Sequence, residues 1–329
     1  MKTITYPGKV EKRTKPINLK TGEEKLFEHE IKKTINDSFV QKISNPYLLR
    51  KNIFKVSNLN FYLDHTYMNK PVTKNFIKLV LKYFRYFLKP KESIPSGFWV
   101  INNKSENYFH WMTESLTRIL SFKKVGINST LLLPQQFQSN EFVLRTLEIL
   151  GINFKIYSNK KLLKVKELYI TSHTAVAGNY NSEIIYELQR ELNKGNLASF
   201  GKRYWISRKY TSRRHLKNEE KLYDIFEEFD IEIVYPEKIN FFEQIKLFRN
   251  AEFIGGIHGA GLVNMLFMEM GNSILEIRDK NDGHNNCYFS LASVLNHKFY
   301  YLLSDSDSLE ILDIDPYKLK EVFNLIFNE

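Results

Sequence analysis

Phe253-Ile-Gly-Gly-Ile-His-Gly-Ala-Gly261 reads as a buried strand, a glycine-rich turn and the start of a helix. Glycines at such a turn let a ligand approach the backbone, and the free amides and dipole of a helix N-terminus favour an anion. The same glycines would also serve a tight turn that only packs helix on strand. Two groups of residues favour the ligand. Glu276, taken as the end of the next strand, is placed to bind ribose hydroxyls. Arg208, Arg213 and Arg214 follow the first strand of the same domain, at the same sheet edge, and are placed to neutralise phosphate. Each arginine by itself also reads as a solvated surface charge. The glycines do not fit G-x-G-x-x-G, and the turn is taken to follow the domain's fourth strand, not its first, which disfavours a dinucleotide dehydrogenase. His258-Gly-Ala-Gly261 imitates an esterase oxyanion loop, but the chain has no G-x-S-x-G nucleophile elbow.

Outward from this turn, short β-branched or aromatic runs alternate with helical patterns, as in a parallel α/β sheet. Strands are expected at Arg203–Ser207, Ile231–Tyr235, Ile274–Arg278 and Phe299–Leu303, with helices at Glu219–Phe229, Phe242–Asn250, Ala260–Met268, Asn286–Leu295 and Pro316–Phe327. An earlier series runs from Phe98–Ile101 through the helix Tyr108–Leu120, Thr130–Leu133, Asn140–Leu150, Phe154–Tyr157 and Glu167–Thr171 to the helix Ser182–Leu192. The Gly- and Ser-containing stretch 194–202 reads as the linker. The expected division is therefore a basic N-terminal extension over 1–93, a Rossmann-like domain over 94–198 and a second one over 199–329.

The 329 residues carry a net charge of +11, unevenly placed. Residues 1–100 hold 20 Lys/Arg against 8 Asp/Glu, while the remainder holds 28 against 29. A basic pI alone does not make a nucleic-acid binder, and no zinc-finger spacing, basic zipper or ribonucleoprotein motif is present. Attraction to an anionic membrane or a phosphorylated acceptor fits the asymmetry. Lys74, Lys78, Lys82, Arg85 and Lys89 form one stripe of a helical pattern otherwise filled by Phe76, Ile77, Val80, Leu81, Phe84, Phe87 and Leu88. That pattern suits an interfacial helix, or one packed on the first domain with its lysines solvated. The single cysteine, Cys287, cannot pair within the chain. No secretory h-region follows Met1, and no apolar run reaches the ~18 residues of a membrane span. A cytoplasmic protein is expected, able to attach at the inner face of the cell membrane.

Asn107-Tyr-Phe-His-Trp-Met-Thr-Glu-Ser-Leu-Thr-Arg118 is the other informative stretch. At helical spacing Phe109, Met112, Leu116, Ile119 and Leu120 share one face, and Asn107, His110, Glu114 and Arg118 the opposite one. His110 and Glu114 are one turn apart and can touch. A carboxylate beside an imidazole at the end of a strand suits a general base acting on a hydroxyl, with Asn107 and Arg118 lining the cleft. A helix N-terminus that merely faces water would look the same. Asp305-Ser-Asp307 and Asp313-Ile-Asp315 imitate metal-holding pairs but read as loop and helix cap.

Together, NYFHWMTESLTRIL (107–120), ISRKYTSRRHLKNEEKL (206–222), YPEKINFFEQIKLFRNAEFIGGIHGAGLVNMLFM (235–268) and ILEIRD (274–279) resemble glycosyltransferase family 61. The resemblance spans roughly Phe98 to Tyr301. It implies a GT-B-like fold, with two Rossmann-like domains facing a cleft, and an inverting reaction without an essential metal or other cofactor. It implies a nucleotide-diphosphate sugar donor, UDP-linked, and a glycan or lipid-linked glycan acceptor in surface polysaccharide synthesis. It assigns the donor site to Arg208, Arg213 or Arg214 and to His258, Gly259, Ala260, Gly261, Leu262 and Asn264. It makes Glu114, ahead of His110, the catalytic base. Gly256 departs from the pattern, and no consequence is expected there. The alternative is a non-catalytic nucleotide-sugar or polyanion-binding protein, which would have no use for the His110–Glu114 pair.

Overall fold

The computed structural model describes residues 2–58, 60–66, 81, 90–194, 201–280, 282, 285–304 and 310–328. The basic helical pattern over 70–91 therefore lies almost wholly outside the described residues, as do 195–200 of the expected linker. The chain forms two compact units, Met1–Lys9 with Asn36–Ala177, and Val10–Ile35 with Gly178–Glu329. Both are mixed α/β with parallel strands.

In chain order the strands begin with β1 (Lys2–Tyr6), then a separate ribbon of β2 (Lys9–Lys12) and β3 (Lys32–Ile35). Next come β4 (Ser38–Ser44), β5 (Tyr47–Leu49), β6 (Asn52–Lys55) and β7 (Asn60–Phe61). The first unit's parallel strands are β8 (Lys91–Trp99), β9 (Leu131–Pro134), β10 (Phe154–Tyr157) and β11 (Leu162–Thr171). They lie in the order β10-β9-β8-β11. By sequence of use this is 3-2-1-4, a doubly wound order whose reversal falls between β8 and β11. Beyond β11 the sheet turns antiparallel: β4 and β5 both pair with it, and β1 pairs with β4. The described part of 1–93 is thus not an extension. Much of it completes the first sheet, because the backbone edge of β11 needs partners.

Residues 10–35 instead belong to the second unit. Phe27 is fully buried against Phe289 (5.0 Å) and Tyr301 (4.9 Å), and Arg13 pairs with Glu30 and donates to the Gly178 carbonyl. Apolar burial and an internal charge pair hold this strap down.

The second unit's sheet comprises β12 (Lys202–Ile206), β14 (Ile231–Val234), β15 (Ala251–Ile257), β16 (Ser273–Asp279) and β17 (Lys298–Ser304), in the order β14-β12-β15-β16-β17 and parallel throughout. A minor pair joins β13 (His215–Leu216) to β18 (Ile311–Leu312). Trp205, Phe253, Leu275 and Tyr300 pack on one face with Phe226 and Phe323, from the helices Tyr223–Glu228 and Pro316–Phe327. Tyr204 meets Phe248, from the helix Phe241–Arg249, on the other. The period of two in the strands and 3.6 in the helices produces this three-layer packing. The order 2-1-3-4-5 places the topological switch between β12 and β15, where a ligand crevice is expected. The glycine turn follows β15, which in chain order is the third strand of this sheet and not the fourth, and which is central in it.

Candidate functional site

In the second unit the switch point gathers most of the residues singled out from the sequence. β12 ends in Ile206, and the loop after it carries Arg208. The Arg208 guanidinium packs so closely on the turn that a Cβ at Gly259 would sit 2.5 Å from Nη1. Arg208 donates to the carbonyls of Arg213 (2.7 Å) and Arg214 (3.2 Å), curling the loop on itself. Arg214 takes a left-handed backbone (φ 56°), uncommon outside glycine, and its Nη1 donates to the His258 carbonyl at 2.9 Å. Burial and the neighbouring Arg214 push the Arg208 guanidinium below its usual range, with Tyr288, Glu237 and Glu310 acting the other way. Two neighbouring guanidiniums of this kind have the chemistry to receive a multiply charged anion. Arg213 is exposed and contributes its carbonyl, not its guanidinium.

The turn itself continues into the helix expected at Ala260–Met268, which is a 3-10 helix over Ala260–Phe267. Leu262 and Asn264 are buried within it. Two glycines are required by close approach: a Cβ at Gly261 would lie 2.8 Å from Ile206 Cγ2, and one at Gly256 only 2.9 Å from the Ile206 carbonyl oxygen. Gly256 is therefore consequential, contrary to expectation, because β12 and β15 pack backbone on backbone there.

Glu276 also departs from its expected place. It sits in the middle of β16, beside Gly256 and Tyr301 in the sheet, and is fully buried. Its Oε1 pairs with His258 Nδ1, while His258 Nε2 meets the Asn285 side-chain nitrogen at 2.9 Å and the ring lies edge-on to Tyr288 at 4.8 Å. A carboxylate so enclosed does not reach a ribose; it fixes the imidazole. Asn285 and Tyr288 were missed because nothing in their local pattern separates them from ordinary loop and helix residues.

In the first unit, the helix over 108–123 starts at the carboxyl end of β8, beside the β8/β11 switch. It runs as α-helix, then as a π segment over Trp111–Ser115, then as α-helix again. Single-turn π segments recur at functional sites. His110 and Glu114 do touch, Nδ1 to Oε1 at 2.8 Å. Glu114 is only 2% exposed, and Asn102 Nδ2 reaches its other oxygen at 3.4 Å. Asn102 and Ser105, themselves linked, and a Ser115–Ser105 hydroxyl contact of 2.9 Å close the floor beneath it. Asn102, Ser105 and Ser115 had no sequence signal beyond lying in a polar run. His110 remains partly exposed, with Nδ1 against the carboxylate and Nε2 as its other ring nitrogen. The polar stripe is thus not a solvent face. Asn107 is exposed, but Arg118 is fully buried, donating to the Thr171 hydroxyl (2.8 Å) and to the carbonyls of Thr171 (2.9 Å) and His65 (3.3 Å). Burial holds its guanidinium down to about 9, against the pull of Glu114, so it stays charged at neutral pH. It buttresses the end of β11; it does not line a cleft.

Among the described residues no group of three or more His, Cys, Asp or Glu is placed to hold a metal ion, and no helix is long and apolar enough to cross a membrane. Asp315 caps the last helix, accepting from Tyr317 N at 2.8 Å, and Asp305 and Asp307 lie outside the described residues. A cavity of about 680 Å³ opens at the other edge of the second sheet, near the amino ends of β15 and β16, lined by Gln189, Asn193, Arg249, Phe267 and Met268.

The model of the family described as Glycosyltransferase 61 matches residues 108–275, half of the chain, from the His110–Glu114 helix to the residue before Glu276. The chain belongs to glycosyltransferase family 61. It is also similar to the EGF domain-specific O-linked N-acetylglucosamine transferase of Drosophila melanogaster, 34% identical over 91 residues. That match covers 27% of this chain and 17% of the fly protein, so the chain spans about a sixth of that relative's length.

Proposed function

We propose that this protein is an inverting glycosyltransferase of the GT-B kind, taking its sugar from a nucleotide diphosphate, UDP by preference, to a hydroxyl of a glycan or lipid-linked glycan in surface polysaccharide synthesis. The observation that carries the reading is the His110–Glu114 pair, a part-exposed imidazole seated on a buried carboxylate. His110 Nε2 takes the acceptor proton as the acceptor oxygen attacks the anomeric carbon. The bond from that carbon to the diphosphate oxygen breaks, its electron pair leaves with the diphosphate, and configuration inverts because there is one displacement. Glu114 is a positioning residue: both its oxygens are engaged and it is nearly inaccessible. The second unit receives the departing charge on Arg208, Arg214 and the turn at Gly259–Gly261, an electrostatic task that needs no metal in this reading. Glu276 keeps the His258 ring oriented beside that turn.

Two measurements test this. Thermal shift against UDP and UDP-sugars, UDP-N-acetylglucosamine first because of the fly relative's name, should show a raised Tm, since a ligand of the native state stabilises it. UDP release should then accelerate when an acceptor glycan is added. Binding without turnover across an acceptor panel would point to a nucleotide-sugar-binding protein. No shift with any nucleotide would sink the reading.

A further inference from the structure

Arg208 opens a tight turn: its carbonyl accepts from the Thr211 amide (3.1 Å) and hydroxyl (2.9 Å), which pushes Tyr210 outward. Tyr210 is 51% exposed, although large aromatic side chains usually bury most of their surface. The neighbouring strand supplies its companions. Tyr235 follows β14 and meets the Tyr210 ring edge to face at 5.1 Å and 64°, and the Lys238 ammonium stands over one face of the Tyr210 ring, 3.1 Å from its centroid. Glu237, on the same loop, lies close enough to act on the Arg208 guanidinium. The carboxyl edges of β12 and β14 thus present an exposed tyrosine against a part-buried one, with a lysine and a glutamate, on the turn that begins at Arg208. Burial in the core does not account for the exposed Tyr210 ring, which rests beside the part-buried Tyr235.

We propose that Tyr210 and Tyr235 form the platform that receives the nucleobase of the donor, with Lys238, seated over one face of the Tyr210 ring, as the cation that meets the base's carbonyls. The inference rests on the donor reading above and extends it to the nucleoside end. A diphosphate held at Arg208 and Gly259 must carry its nucleoside away from the anomeric carbon, and the aromatic pair is one turn of chain from Arg208. Base–aromatic stacking tolerates any base, so choice among nucleotides falls to polar groups at the rim, Lys238 and Glu237.

Titration calorimetry separates the platform from the phosphate site. With the full-length protein, UDP and inorganic pyrophosphate are the probes. Tyr210→Ala should weaken UDP on the order of tenfold or more and leave pyrophosphate as in the wild type. Tyr210→Phe should retain UDP, and Lys238→Met should narrow the preference for UDP over GDP. Unchanged UDP affinity in Tyr210→Ala, or equal losses for UDP and pyrophosphate, overturns the platform while leaving the donor site standing. Absence of UDP binding in the wild type would instead refute the donor site, and the platform with it.

Discussion

Glu114→Gln and His110→Ala should be unequal, and the inequality follows from which of the two is buried. Glutamine nearly matches glutamate in shape, and its carbonyl can still accept from His110 Nδ1 at the 2.8 Å position now held by Oε1. What is lost is the charge on the acceptor. Hydrogen bonds to charged groups contribute about 1.5–3 kcal/mol against about 0.5–1.5 for neutral ones. The difference, about 1–1.5 kcal/mol, corresponds to roughly tenfold in rate. Removing His110 deletes the proton acceptor, for which ~10²–10⁴-fold is typical. Because both act through one imidazole, the double variant should be about as slow as His110→Ala alone. The assay is steady-state UDP release with a saturating acceptor, with UDP affinity measured in parallel to show that the second unit is untouched. If Glu114→Gln is the slower of the two and the double variant is no slower than Glu114→Gln alone, Glu114 is the base and His110 the residue that positions it; losses that multiply would mean that the two act independently. Full activity in His110→Ala would remove the pair from catalysis altogether.

Gly256→Ala should destabilise the protein by about 1–3 kcal/mol, the usual cost of overpacking, because the new methyl meets the Ile206 carbonyl oxygen; an unchanged urea midpoint would contradict this. Arg208→Ala should weaken UDP and pyrophosphate alike, on the order of tenfold or more, by removing a charged donor; calorimetry reads it, and a loss confined to UDP would relocate the phosphates. His297 is fully buried, with Nε2 on the Met265 carbonyl, and burial holds it down to about 4 from 6.5. Its neutral form is favoured in the fold, so its contribution is whole above pH 6.5 and is lost as pH falls towards 4, a matter of ~3 kcal/mol. Urea midpoints at pH 7 and pH 4.5 should therefore differ less in His297→Gln than in the wild type. Transfer should survive excess EDTA, and a loss restored by Mn²⁺ or Mg²⁺ would require a metal in the donor site.

Local sequence settles what depends on near neighbours. The helices Ser182–Leu192 and Pro316–Phe327 and the strand Phe154–Tyr157 lie where periodicity and flanking residues put them, and the strand, turn and helical start at His258 follow from glycine spacing. The contact of His110 with Glu114 is likewise a one-turn relation, visible without a fold. Distant pairing decided the rest. Strand order, which sets β12 beside β15 and so brings Arg208 to Gly259, depends on hydrogen bonds between segments some fifty residues apart. The same holds for β4 and β5, which join the first sheet only because β11 offers them an edge. Burial of polar groups was the other thing hidden: Glu276, Glu114 and Arg118 look like surface charges in a one-dimensional pattern, and each is enclosed. A charge is costly inside a protein unless a partner compensates it, and those partners, His258, Asn102 and Thr171, are brought to them by the tertiary fold.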